Sequence, residues 1–178
     1  MRREGRMRRA LWLVSAAVPA VLLVLFLRVF VVGLYVVPSA SMELTIEVGD
    51  LILGQKVSIA LGTPAVGQVV TFESPESPGT TLVKRVVAVG GQTVDVPAGR
   101  LRVDGEPLDE PYAIGRTAAV PESGVAYPHV VVEGCVWVMG DNREASRDSR
   151  VFGDVPASSV SSYILLTYWP LDRLGLVR

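Results

Sequence analysis

Three segments of this 178-residue chain hold side chains able to do covalent chemistry. The first is residues 38–50, PSASMELTIEVGD. Ser39 and Ser41 lie two apart, so in an extended segment their hydroxyls point to the same side. One can attack a carbonyl while the other donates a hydrogen bond to the oxyanion that develops. The second is residues 81–90, TLVKRVVAVG. As a strand it places Leu82, Lys84, Val86 and Ala88 on one face and Val83, Arg85, Val87 and Val89 on the other. Lys84 then projects among apolar neighbours, where burial disfavours the charged ammonium. Bringing a lysine from ~10.4 to ~7 takes about 4.6 kcal/mol of differential solvation, within reach of a buried site. A neutral lysine can take the proton of a serine hydroxyl. Arg85 cannot, because a guanidinium keeps its proton. The third is residues 139–156, MGDNREASRDSRVFGDVP, where Asp141, Asp148, Arg143 and Arg150 can form a paired, hydrogen-bonded network. Each segment taken singly also has a structural reading: a serine-rich turn, a lysine snorkelling from an edge strand, and a solvated polar loop.

Composition removes other chemistries. The net charge of −1 gives no reason to expect a nucleic-acid partner. Cys135 is the one cysteine and His129 the one histidine, which excludes an intrachain disulfide, a cysteine zinc site and a two-histidine metal motif. No metal and no cofactor is expected. The chain carries no Gly-x-Ser-x-Gly elbow, Ser-x-x-Lys, His-Glu-x-x-His or phosphate-binding glycine loop. His129 lacks the surroundings of a Ser-His site, and Cys135, inside an apolar strand, reads as a core residue.

The elements that must position these groups are legible in outline. Residues 10–27, ALWLVSAAVPAVLLVLFL, hold Ser15 as their one polar side chain and no charge. As a helix they span ~27 Å, close to the ~30 Å hydrocarbon core, so a transmembrane helix is expected there. A cleavable secretory signal is the competing reading. The apolar run is longer than the ~7–15 residues of such a core, and the small residues near Ala40 lie too far beyond it. Arg2, Arg3, Arg6, Arg8 and Arg9 precede the run, which places residues 1–9 in the cytoplasm and residues 28–178 outside it. Beyond the anchor, Val29–Val37, Leu51–Leu53, Gln68–Phe72, Thr81–Val89, Leu101–Val103, Val130–Met139 and Ser161–Tyr168 read as strands separated by Gly and Pro clusters. Asp104-Gly105 reads as a tight hairpin turn. The expected class is mainly β, an antiparallel domain behind a single N-terminal helix.

The order of the three segments resembles the bacterial type I signal peptidases, the serine/lysine-dyad peptidases. The resemblance is carried by Pro38-Ser39-Ala40-Ser41-Met42, Gly49-Asp50, Lys84-Arg85, and Gly140-Asp141-Asn142-Arg143 with Ser146-Arg147-Asp148-Ser149-Arg150. It implies a β-rich domain of the signal-peptidase/LexA-like type, with Ser41 as nucleophile and Lys84 as general base. Ser39 and the Ser41 N–H would form the oxyanion hole. Ser146 would orient the lysine amine, and Asp148 with Arg150 would brace the site as a salt bridge. The implied partners are signal peptides of secretory pre-proteins, the lipid bilayer and the Sec export machinery, and the implied place is the cell membrane. A pilus or conjugation processing peptidase of the same clan, and a non-catalytic membrane-anchored peptide-binding domain, are the alternatives. The sequence departs from the family where Leu44 stands in place of a usual proline, which would loosen the loop after the nucleophile. Glu144-Ala145 and Gly91-Gln92 depart from it as well.

Overall fold

The computed structural model describes Ser15, residues 17–57 and residues 62–178. Residues 17–26 are α-helical (α1), and a π-helical turn, Leu27–Val31, leads directly into the first strand. The strands in chain order are β1 (Val32–Val36), β2 (Leu51–Gln55), β3 (Val69–Glu73), β4 (Thr81–Val89), β5 (Thr93–Asp95), β6 (Arg102–Val103), β7 (Glu106–Pro107), β8 (His129–Val130), β9 (Cys135–Met139), β10 (Val155–Pro156), β11 (Val160–Trp169) and β12 (Gly175–Leu176). A short helix, α2 (Ser149–Phe152), precedes β10. The larger sheet has the order β1-β2-β11-β3-β4-β9-β10, with β12 beside β11; the smaller has the order β7-β6-β5-β8. The strand pairings are antiparallel. The mainly β class follows.

Part of the expected membrane span, residues 10–14 and 16, lies outside the described residues. Among the described residues no helix is long and apolar enough to cross a membrane. The strand expected from Val29 begins at Val32, because the π-helical turn takes the first part of that run.

The middle of the larger sheet is buried on both faces, which is why its strands are nearly continuous in apolar residues. Val136 and Val138 of β9 pack with Val70, Phe72, Val86 and Tyr163. Trp137 and Met139 face the other way and pack with Val87, Val94, Leu101 and Val131 under the smaller sheet. A third cluster, Val37, Met42, Ile46, Ile52, Val69 and Ile164, lies beneath the segment that carries Ser41. In β4 the expected alternation holds as far as Val86. A register shift against β9 then falls between Val86 and Ala88. Such a bulge turns the following side chains over. Ala88 therefore packs with Val87, and Val89 with Val86, which corrects the alternation read from the sequence.

The run Val130–Met139 is two strands in different sheets, not one. Gly134 at its centre has φ 77, a left-handed conformation that breaks an extended chain where glycine permits it. Asp104 and Gly105 have φ 53 and 81, and Val103 pairs with Glu106 across them. That is the two-residue hairpin expected of Asp-Gly.

Candidate active site

Ser39 is extended, and Ala40–Met42 forms one 3-10 turn closed by Glu43 N–H donating to the Ala40 carbonyl. The two serines are thus not on one extended segment as read from the sequence, yet their hydroxyl oxygens stand 3.4 Å apart. The buried Met42 side chain pins the turn to the core cluster below it. As a first-turn amide, the Ser41 N–H has no carbonyl to meet within its own helix. The Ser41 carbonyl accepts from Asn142 N–H at 3.1 Å, so the third segment holds the first.

Lys84 sits on β4 opposite Val70 of β3 and is 3% exposed. Its Nζ donates to Ser41 Oγ at 2.8 Å and to the Val83 carbonyl at 3.0 Å. Burial pulls its pKa down to about 8, against the Asp148 and Asp141 carboxylates, which push it up. An amine in hydrogen-bond contact with a serine hydroxyl, and titrating near neutrality, has the geometry and the basicity to take that proton.

The third segment folds back over this pair. Asp148 caps the N-terminus of α2 and accepts from Gly140 N–H at 3.1 Å, so the carboxylate ties both ends of the loop together. Its two oxygens also take Arg150 Nε at 2.8 Å and Nη2 at 2.9 Å. Arg150 Nη2 donates onward to the carbonyls of Arg143 and Ser146. Gly140 has no room for a side chain, because a Cβ there would collide with Ser146 Oγ and with the Ser41 carbonyl. Ser146 Oγ is buried without a hydrogen-bond partner, so the expected bond to the Lys84 amine is absent from this arrangement.

The remaining pairs are not those read from the sequence. Asp141 pairs with Arg85, whose Nε and Nη2 reach its two oxygens at 2.9 and 2.7 Å, with both side chains fully buried. Arg143 pairs with Glu110 and donates to Thr117 Oγ1 at 2.7 Å. The antiparallel ladder explains the exchange: Arg85 lies opposite Met139, so Asp141 emerges from β9 within reach of β4. Thr45 donates to Asp141 at 2.5 Å, and the Arg85 guanidinium lies 3.9 Å over the Tyr112 ring. Thr45, Glu110, Tyr112 and Thr117 belong to turns and irregular loops without periodicity, and no local signal marked them. Asn142 Nδ2 donates to Glu43 at 3.0 Å, a second tie between the third segment and the Ser41 turn. Leu44 has φ 76, a conformation closed to the proline that the family resemblance leads one to expect there.

A cleft of about 450 Å³ opens beside Ser41 and Lys84, bordered by residues 34–39 on one side and 80–84 on the other. Among the described residues strand β1 pairs only with β2, and β4 meets β9 only from Arg85 onward. Both borders of the cleft therefore carry strand edges that no other described strand covers, the form that extended peptides pair with. His129 lies elsewhere: its Nε2 meets Asp154 Oδ1 at 2.9 Å, and its ring packs on Trp137. Among the described residues no group of His, Cys, Asp and Glu side chains is placed to hold a metal ion.

A serine hydroxyl in contact with a buried lysine amine can serve as nucleophile and base. The chain is similar to known proteins over most of its length. The family model described as signal peptidase, peptidase S26, matches residues 10–169. A probable signal peptidase I-1 of Synechocystis is 38% identical over 164 residues, covering 88% of this chain and 81% of its own. The signal peptidase I of Bacillus caldolyticus is 34% identical over 182 residues, covering 97% and 96%. The crystal structure of a signal peptidase I from Enterococcus faecalis is 28% identical and covers 57% of this chain and 97% of its own, at a TM-score of 0.46. With most of its length matched by the family model and by relatives at this level of identity, the chain belongs to the signal peptidase family, peptidase S26.

Proposed function

We propose that this chain is a signal peptidase I that cuts signal peptides from exported pre-proteins with Ser41 as nucleophile and Lys84 as base. The observation that carries the reading is the 2.8 Å contact between a buried, deprotonable lysine and a serine hydroxyl at the edge of a peptide-sized cleft. The substrate lies extended in the cleft between the free edges of β1 and β4. Neutral Lys84 takes the Ser41 hydroxyl proton as Oγ attacks the scissile carbonyl carbon. The Ser39 hydroxyl and the Ser41 N–H donate to the oxyanion of the tetrahedral intermediate. Its collapse breaks the C–N bond, and the Lys84 ammonium returns a proton to the leaving amine of the mature protein. The signal peptide remains as an ester on Ser41. Lys84 then takes a proton from water as its oxygen attacks the ester carbon, and returns that proton to Ser41 Oγ as the ester C–O bond breaks and the signal peptide leaves as a carboxylic acid.

The loop residues hold this dyad in register. Asp148 and Arg150 fix the loop's ends, Arg85 and Asp141 fix β4 against it, and Asn142 holds the Ser41 turn. Ser146, which lies beside Gly140, would orient the lysine amine during the reaction. The enzyme is held at the cell membrane by residues 10–27, with the catalytic domain outside. The basic N-terminus supports this, as do the exposed apolar side chains Leu34 and Val36 that line the cleft. Anchoring enzyme and substrate in one bilayer raises their effective concentration.

The test is cleavage of a purified pre-protein in detergent by wild type, Ser41→Ala and Lys84→Ala, with the new N-terminus sequenced. Wild type cuts behind the signal peptide, and both variants are folded and inactive. Full activity in either variant would remove the dyad. Peptide binding without cleavage by wild type would make the chain a binding domain.

A further inference from the structure

The junction between α1 and the catalytic sheet carries a clamp that the dyad does not explain. In the π-helical turn, Val32 N–H bonds back to the Leu27 carbonyl, five residues earlier. The chain is extended from Val32 on, so the Arg28 and Val29 carbonyls have no helical N–H ahead of them. Lys56, which follows the end of β2, supplies the missing donors. Its Nζ lies 3.2 Å from the Arg28 carbonyl and 3.2 Å from the Val29 carbonyl. Its backbone N–H donates to Val31 at 2.9 Å and extends the β1–β2 ladder by one bond. A compact cation at the negative end of a helix is held by both hydrogen bonds and the peptide dipoles. Lys56 is one of two lysines among 17 basic side chains, and the other is Lys84.

We infer that Lys56 is a positioning residue: it locks the angle between the lead-in helix and β1, and so sets where the cleft stands relative to the bilayer. The inference rests on the membrane-anchored peptidase reading above. Strand β1 begins where the clamped turn ends, and its far end, with residues 34–37, borders the cleft. A free hinge at this point would let the catalytic domain swing about the helix. The site would keep its own geometry and lose its alignment with a substrate held in the same membrane. Misplacement by about 1 Å can lower a rate by ~10².

The experiment compares wild type, Lys56→Met and Lys56→Arg on two substrates. One is a short soluble peptide in detergent. The other is a pre-protein in the same liposomes as the full-length enzyme, carrying two identical cleavage sites about ten residues, or ~33 Å, apart. Lys56→Met keeps the side-chain stem and loses the donors. It is expected to match wild type in kcat and KM on the soluble peptide and to fall about tenfold on the pre-protein. It should also lose the wild-type preference between the two sites, because a freed hinge samples several heights. Lys56→Arg, which keeps donors, restores most of the rate and the preference. Equal losses on both substrates, or no loss on either, would overturn the inference while leaving the peptidase intact. A loss confined to vesicles with anionic lipid would also overturn it, by reassigning Lys56 to headgroup contact. Wild type inert on both substrates would refute the peptidase reading itself, and the clamp's role with it.

Discussion

Keeping an amine neutral in an apolar site costs stability, and Lys84→Met exposes that cost. Burial lowers the Lys84 pKa from a lysine's usual 10.5 to about 8. A gap of about two and a half pH units corresponds to roughly 3 kcal/mol of differential interaction. The sign follows from proton binding. Between pH 8 and 10.5 the unfolded chain still holds the lysine proton and the folded chain has released it. Wild type therefore gains stability as pH rises through that window and carries the full penalty below it. Methionine fills a similar volume without a charge. Lys84→Met should be more stable than wild type at pH 7 by about 1–3 kcal/mol, the lower figure allowing for the lost bond to Ser41. In a domain of this size that raises Tm by about 3–10 °C. The advantage should shrink to nothing or reverse by pH 10.5. Tyr112 and Tyr127, which burial holds at about 12, titrate alike in both proteins and cancel in the difference. Urea titrations of the two proteins at pH 7, 9 and 10.5 in one detergent measure it. A variant less stable than wild type at pH 7, or a difference that ignores pH, would refute the reasoning.

Other expectations follow from the same geometry. Ser39→Ala should stay folded, keep the Lys84–Ser41 contact and lose about 10²–10³ in kcat, the usual effect of removing one oxyanion donor; steady-state kinetics on a peptide substrate checks this. Asp141→Asn leaves the buried Arg85 guanidinium without its counter-ion and should cost about 3–5 kcal/mol by urea unfolding. Because Asp141 also pushes the Lys84 pKa up, the acidic limb of that variant's pH–rate profile should move below pH 8. Leu44→Gly relieves a left-handed leucine that is 68% exposed and should stabilise by up to about 1 kcal/mol. Leu44→Pro should destabilise, since proline is fixed near φ −65°. Thermal unfolding of the pair separates the two.

Strand β4 was legible from the sequence to the residue, because Thr81–Val89 is a long β-branched run with turn signals at both ends. The Ser41–Lys84 pair was legible through the family resemblance that the order of the three segments carries, since each segment alone also has an ordinary structural reading. The partners of Asp141 and Arg143 were not. Both sit close to Asp148 and Arg150 in the chain, so local pairing is the natural reading, yet the ladder delivers Arg85 and the Ile114 segment delivers Glu110. Non-local pairing of this kind leaves no periodicity to read. The bulge after Val86 was hidden for a related reason: every residue there is apolar, so nothing in the pattern says which face each one takes. The splitting of Val130–Met139 had a signal in Gly134, but an unbroken run of apolar residues on either side outweighed it.

The proposed mechanism stands on Lys84 giving up its proton at about pH 8 in the folded enzyme, well below an ordinary lysine. Because Lys56 and Lys84 are the two lysines, protein grown with isotope-labelled lysine gives two side-chain signals, and Lys84→Met assigns them. The signal missing from that variant should titrate at about 8 in the folded full-length enzyme. Titration of that same signal at the ordinary lysine value of about 10.5 would contradict the account, for the proposed base would then be an ammonium when the serine needs it.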